Sequence, residues 1–493
     1  MLADASQRFH KLIGASNTLF STGTDEHGLK VQQVAENFNK DPFVLCSEKS
    51  SEYRKLFDSV NIGYTDYIRT TEERHLRSVN HIFNKLNNAG YIYKGNYDGW
   101  YCVSDEQFLT KHQVQDITLE NGETKKISSE SGHYVEWVTE TNYMFKLSEL
   151  KNDLLYWIKD SERVKPAVFH QLLERYINED LHDLSFSRPK NRVSWGIPIP
   201  NDPDHILYVW VDALINYLTV SGFPEHTFWP PTIQVLGKDI LKFHGIYWPA
   251  ILIASGLEPP KKLLVHSHWT VDGRKMSKSL GNVVCPNEMI KKLSVDGLRY
   301  CLLRMGTPHS DSSWNTEAAI KHLNADLANA LGNLVSRCRP KSLNPDQIMP
   351  SLCLNFYNES SKAKQIQNLI NELPISVAEH YNEFNFYKGL QVILQLIHVT
   401  NELIEEEKPW TLKNNTDKTK LHNIIHISLS SARAAGIALQ PIVPNIASSL
   451  LDSLGVPKNE RLWQHINKYP SVDVEASPLG PKQILFQRIK NCY

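Results

Sequence analysis

Two lysines and two serines stand together in Lys275-Met276-Ser277-Lys278-Ser279, with Val271-Asp-Gly-Arg before them and Leu280-Gly281-Asn282 after. Ammonium groups neutralise phosphate charge, hydroxyls donate, and Gly281 permits a tight turn, so the pattern suits a clamp on a polyphosphate. The plainer alternative is a solvated basic turn. Chance supplies this pentapeptide in fewer than roughly one chain in a thousand of this length, which favours the clamp. Asp25, in Phe20-Ser-Thr-Gly-Thr-Asp-Glu-His-Gly28, is a second candidate. Its carboxylate follows a strand end and a glycine, where it could hold an ammonium or simply cap the next helix. Trp210, Tyr217, Phe243, Tyr247 and Trp248 crowd around two apolar segments, as core or as the wall of a pocket. Asn333 and Arg337 are four apart, hence on one helix face. Trp410, after Pro409 at the end of a helical pattern, either packs in the core or stacks on an unpaired base, worth about 1–3 kcal/mol.

These residues need elements to position them. Asn17-Thr-Leu-Phe-Ser-Thr-Gly23 reads as a strand, followed by a polar loop and a helix from Leu29 to Asn39. A second helix runs from the cap signal Thr70-Thr-Glu-Glu to a stop before Gly90. From Gly95 to Arg188 the texture becomes aromatic and turn-rich, as in Asp98-Gly-Trp-Tyr-Cys-Val-Ser-Asp-Glu and Gly132-His-Tyr-Val-Glu-Trp, which reads as a small β-rich insert. Short apolar runs then resume an α/β pattern at Ile206-Leu-Tyr-Val-Trp-Val, Ile233-Gln-Val-Leu-Gly and Leu263-Leu-Val-His. Beyond Glu317 the chain is helical. Leu390, Ile393, Leu394 and Ile397 share one face, as do Leu323, Leu327, Leu331 and Leu334. The resulting division is 1–94, 95–187, 188–316 and 317–493.

Composition narrows the classes. The 493 residues carry a formal net charge of −1, with 41% hydrophobic and 22% charged residues. That is ordinary globular composition, and its charge excludes a broadly basic nucleic-acid wrapper while leaving a site-specific reader open. The longest uncharged apolar stretch, Ile246 to Leu257, falls short of the ~20 residues a membrane-spanning helix needs. The seven Cys have no CxxC pair, which argues for a reducing compartment and against both disulfides and a Cys-based zinc site. The first residues, Met1-Leu-Ala-Asp-Ala-Ser-Gln-Arg, read like the middle of a helix and not like a targeting peptide.

Lys275–Ser279 resembles the KMSKS signature of class I aminoacyl-tRNA synthetases. Phe20–Gly28, Leu207-Tyr-Val-Trp-Val-Asp-Ala213, Gly237-Lys-Asp-Ile-Leu-Lys-Phe-His244 and Val265-His-Ser-His-Trp-Thr270 narrow the resemblance to the methionyl-tRNA synthetases of bacterial and mitochondrial type, essentially from Leu2 to the C-terminus. The resemblance implies a Rossmann-like, doubly wound parallel sheet with a small β-rich insert and a C-terminal α-helical bundle. It implies substrates too: methionine, ATP with Mg2+, and tRNA(Met), in the mitochondrial matrix. Asp25, Trp210, Ala213, Tyr217, Phe243 and His244 match the methionine pocket, where aromatic edges contact a polarizable sulfur at about 0.3–1.5 kcal/mol each. Arg188 looks like the arginine that pairs with Asp25. Gly237, Asp239 and His266, with Lys275, Ser277 and Lys278, match the ATP site, and the two lysines are the expected catalytic groups. Asn333, Arg337 and Trp410 match the readers of the anticodon.

The pattern departs from the family in two places. Class I enzymes carry a first strand and a His-Ile-Gly-His motif, absent from these 493 residues, so the chain is expected to begin just downstream of it. In a sheet of order 3-2-1-4-5 that strand is central, so its loss is expected to leave ladder groups unpaired and these 493 residues inactive in adenylate formation. In the insert, Cys102 is followed at the relevant spacing by Gln107, so no protein-bound zinc is expected. A monomer without membrane contact is the expected state. A non-catalytic tRNA-binding fragment and another class I synthetase are the alternatives.

Overall fold

The computed structural model describes residues 1–103, 107–109, 113–119, 122–129, 131–179, 181–225, 228–277, 281–412, 414, 418–468 and 477–490. Lys278, Ser279 and Leu280 of the basic loop lie outside them. The chain forms two compact units, one of Ser21–Phe57 and Tyr64–His266, the other of Met1–Phe20, Asp58–Gly63 and Ser267–Tyr493.

In the first unit, strand Ser21–Thr24 runs parallel to Asp66–Arg69 in the register Ser21↔Asp66 to Thr24↔Arg69. A Cβ on Gly23 would sit 1.9 Å from the Ile68 carbonyl oxygen, so only glycine allows this approach. Strand Gln234–Gly237 pairs in parallel with Leu263–His266, which pairs in turn with Val164–Lys165. Among the described residues these strands form two separate hydrogen-bonded groups. The long antiparallel pair Ile92–Cys102 and Glu136–Phe145, which starts three residues before 95, accounts for the aromatic texture of 95–187. The later part contains the helices Lys151–Ile158 and Ala167–Asn178, whose Phe169, Leu173 and Ile177 recur every four residues on a buried face.

The apolar run at Ile206 divides where the sequence shows no seam. Strand Asp202–Leu207 ends, Tyr208 stays extended, and helix Val209–Val220 begins. Short apolar runs do not distinguish strand from helix; here tertiary burial of Val211, Leu214, Ile215 and Leu218 decides for the helix. The consequence is functional, because Trp210, Ala213 and Tyr217 then share one helix face.

The second unit is mainly helical. The run from Thr316 to Arg337 passes through a π-helical segment, Leu323–Gly332, and buries Leu323, Leu327, Leu331 and Leu334. Helix Phe386–Glu407 buries Leu390, Ile393, Leu394 and Ile397. Helix Leu2–Leu12 is tied into this unit by a fully buried ion pair, Asp4 Oδ2 to Arg299 Nη2 at 2.5 Å. Arg299 also donates to the carbonyls of Val60, Asn61, Pro441 and Ile442, while Asp4 accepts from the Gly63 N–H. One saturated guanidinium thus gathers three distant stretches of chain, and removing either charge would strand the other in the core.

Candidate active site and candidate nucleic-acid face

The loop after strand Ser21–Thr24 is held by Glu26, 2% exposed. Its carboxylate accepts a two-pronged pair from Arg69 at 2.8 and 3.0 Å, and hydroxyl bonds from Thr24 and Thr71 at 2.7 and 2.6 Å. The Glu26 N–H donates to Thr70 Oγ1, and its carbonyl accepts from Trp195 Nε1. Burial opposes the charge on Glu26, yet the bonds from Arg69, Thr71 and Thr24 win and hold its pKa below the ordinary value. Thr70 and Thr71, which read as a helix cap, are therefore used here instead. Helix Glu73–Asn88 starts from Glu72 without a side-chain cap bond. Glu26 and Arg69 gave no signal in sequence, because the partners are 43 residues apart.

Asp25 is exposed at the head of this rigid loop. The N-cap of helix Leu29–Asn37 is Gly28, at φ 102°, so Asp25 lies outside the capping position. His27, next but one, donates from Nδ1 to Asp212 Oδ2 at 2.6 Å. Burial lowers the pKa of His27, but the bond and charge of Asp212, reinforced by Asp25 and Glu26, raise it overall. Arg188 is buried, donates to the Ser185 and Ser187 carbonyls and Ser185 Oγ, and lies against Tyr101, Phe108 and Tyr208. Among the described residues no carboxylate is paired with it.

The aromatic candidates come together. Trp210 and Phe243 stack with ring centroids 3.9 Å apart and planes 12° from parallel. Tyr217 Oη lies 2.8 Å from His244 Nε2, and His244 Nδ1 lies 2.9 Å from the Ile240 carbonyl. A carbonyl can only accept, so Nδ1 carries the proton, Nε2 accepts from the tyrosine, and the ring is neutral. Burial pushes the His244 pKa down to about 4, with the Ile240 bond opposing it. Phe243 and His244 sit in a π-helical turn, Phe243–Tyr247. Trp248 is fully buried, a core residue. The result is an apolar wall with one hydroxyl–imidazole pair of defined polarity, suited to an uncharged, polarizable side chain.

Gly237 and His266 face each other in register at the carboxyl ends of two parallel strands, the usual ligand edge of an α/β sheet. Asp239 follows in a 3-10 turn, and a Cβ on Gly237 would fall 2.8 Å from Asp239 Oδ1 and 3.8 Å from His266 Cε1. The absent side chain leaves room for the Asp239 carboxylate to close against this backbone.

In the second unit, Trp269–Val271 and Arg274–Lys275 form a hairpin around Asp272 and Gly273, both at positive φ, as a type I′ turn requires. Lys275 is exposed. Asn282 ties down the residues beyond the hairpin, accepting from the Ser277 N–H and donating to the Lys275 carbonyl. Elsewhere in this unit, Asn333 is exposed and Arg337 pairs with Glu405 at 2.6 Å, setting helix Asn333–Arg337 beside the end of helix Phe386–Glu407. Lys408 then turns left-handed, and the 3-10 turn Pro409–Thr411 holds Trp410 at 44% exposure. Trp410 is thus not a core residue, and it follows Glu405, the partner of Arg337, along the same stretch of chain.

A family model described as tRNA synthetases class I (M) matches residues 1–339. The chain is 44% identical to the mitochondrial methionine–tRNA ligase of Xenopus laevis, over 99% of this chain and 89% of that protein. Identity to the protein of the same name from Homo sapiens is 41%, over 99% and 87%. A crystal structure of Mycobacterium tuberculosis methionyl-tRNA synthetase bound by methionyl-adenylate is similar with a TM-score of 0.91 and 31% identity, covering 99% of this chain and 95% of that one.

Proposed function

Because the chain belongs to the methionine-specific class I tRNA synthetases, we propose that it is a methionine–tRNA ligase working in mitochondria. The methionine carboxylate attacks the α-phosphorus of ATP, supplied as its magnesium complex, giving methionyl-adenylate and pyrophosphate. The terminal ribose hydroxyl of tRNA(Met) then takes the methionyl group and AMP leaves. Asp25 holds the ammonium of methionine, and Trp210, Ala213, Tyr217, Phe243 and His244 enclose its thioether. Gly237, Asp239 and His266 receive the nucleoside. Lys275, Ser277 and Lys278 meet the phosphates, where catalysis is positioning and charge stabilisation. Asn333, Arg337 and Trp410 read the anticodon, with Trp410 as the stacking platform.

The observation that supports the assignment is similarity along 99% of the chain to relatives of that name. Methionine-dependent exchange of labelled pyrophosphate into ATP, followed by charging of tRNA(Met), tests it. tRNA binding without exchange would favour a non-catalytic tRNA-binding protein, and exchange driven by leucine would move the chain to another class I specificity. Fractionation of cells expressing the tagged protein tests the compartment. All the assigned residues lie on one chain, so a monomer suffices, and light scattering checks that state.

A further inference from the structure

One buried polar cluster in the first unit has no part in the roles above. Asp212, 1% exposed, accepts from His27 Nδ1 on one oxygen and from His75 Nε2 on the other, both at 2.6 Å. His75 is fully buried, and its Nδ1 lies 3.0 Å from Thr219 Oγ1, two turns along the same helix as Asp212. Three elements therefore meet on one carboxylate: the loop after strand Ser21–Thr24, helix Glu73–Asn88 and helix Val209–Val220. Burying a carboxylate between two imidazoles is a poor route to stability, since apolar groups of equal volume do as well or better. Short, directional, charge-assisted bonds do fix geometry, where apolar packing tolerates sliding.

The positions of the bonded residues show what that geometry serves. His27 is two residues from Asp25. Asp212 lies between Trp210 and Ala213 in sequence. Asp25 and the Trp210–Tyr217 face are assigned to opposite ends of one small molecule, its ammonium and its thioether, and the His27–Asp212 bond is a direct tie between the elements that carry them. We propose that His27, Asp212 and His75 are positioning residues that set the spacing between the Asp25 loop and the aromatic pocket, and so select the length of the amino-acid substrate. This rests on the methionine-binding reading of those residues. A misplacement near 1 Å costs on the order of 100-fold where two anchors must be met at once.

The test is calorimetric titration of the whole chain with methionine, its longer homologue ethionine, and ATP. His27→Leu removes the donor to Asp212, while His27→Asn places an amide nitrogen where Nδ1 stood. His27→Leu should weaken methionine about 10- to 100-fold, narrow the preference for methionine over ethionine, and leave ATP within about twofold. His27→Asn should recover most of the affinity and the preference. Thr219→Val loosens His75 without touching the loop and remains readable if His27→Leu does not fold; it should cost methionine about threefold and ATP nothing. Equal weakening of methionine and ATP, no recovery with Asn, or unchanged methionine affinity in the Leu and Val variants would overturn the proposal. A wild-type chain that binds ATP but no methionine would instead overturn the reading of the pocket, and this inference with it.

Discussion

Replacing His244 by glutamine should change how stability depends on pH, by an amount the pocket sets. His244 is 3% exposed, its Nδ1 proton is committed to Ile240 and its Nε2 lone pair to Tyr217. Its pKa falls from 6.5 to about 4. The unfolded chain therefore takes up a proton below 6.5 that the folded pocket refuses until about 4, so stability contributed by the neutral ring is intact above that window and is lost as pH falls through it. At about 1.4 kcal/mol per pH unit, the full loss is about 3 kcal/mol, of which about 2 kcal/mol is already present near pH 5. Glutamine can still accept from Tyr217 and does not titrate. Urea unfolding of both proteins, followed by tryptophan fluorescence near pH 7.5 and near pH 5, gives a double difference in which the other titrating groups cancel. The wild type should lose about 2 kcal/mol more than His244→Gln between those conditions. Parallel pH profiles would refute the argument, because they would mean that His244 takes its proton in the folded state as readily as in the unfolded one.

Asp25→Ala should raise the KM for methionine about 10- to 100-fold and lower kcat in pyrophosphate exchange, the modest end for truncating one partner of a charge pair, since Asp25 is exposed in the free chain. Unchanged parameters would remove it from the pocket. Lys278→Ala should lower kcat for adenylate formation by roughly 10²–10³ with little change in substrate affinity, the scale of losing one preorganised charge donor; a rise in ATP KM at constant kcat would make it a ground-state contact. Trp410→Ala should spare exchange and cost about 1–3 kcal/mol in kcat/KM for charging tRNA(Met). An equal loss in both assays would show that the substitution damages folding and not base stacking.

By itself, the amino-acid sequence determined whatever depends on local periodicity and local chemistry. Strands Gln234–Gly237 and Leu263–His266, helix Leu29–Asn37, and the buried stripe Leu390, Ile393, Leu394 and Ile397 follow from spacing that repeats within a few residues. The basic loop is likewise visible from its residue types, whereas the hairpin at Asp272 and Gly273 before it emerged only in the structure. Motif resemblance also singled out the residues proposed for the pocket. Only the tertiary structure decided how they meet: that the run after Ile206 breaks into strand and helix at Tyr208, that Trp210 stacks on Phe243, and that His244 is held neutral. It also turned Thr70 and Thr71 from a helix cap into supports for Glu26, and joined Asp4 to Arg299 across 295 residues. The Asp212 cluster belongs to the same class, its imidazoles arriving from 185 and 137 residues away. The physical reason is common to all of these. A hydrophobic stripe can be read along one element because the element's own period creates it, but a buried hydrogen bond or ion pair needs a partner whose distance along the chain carries no information, and packing alone brings the two within reach.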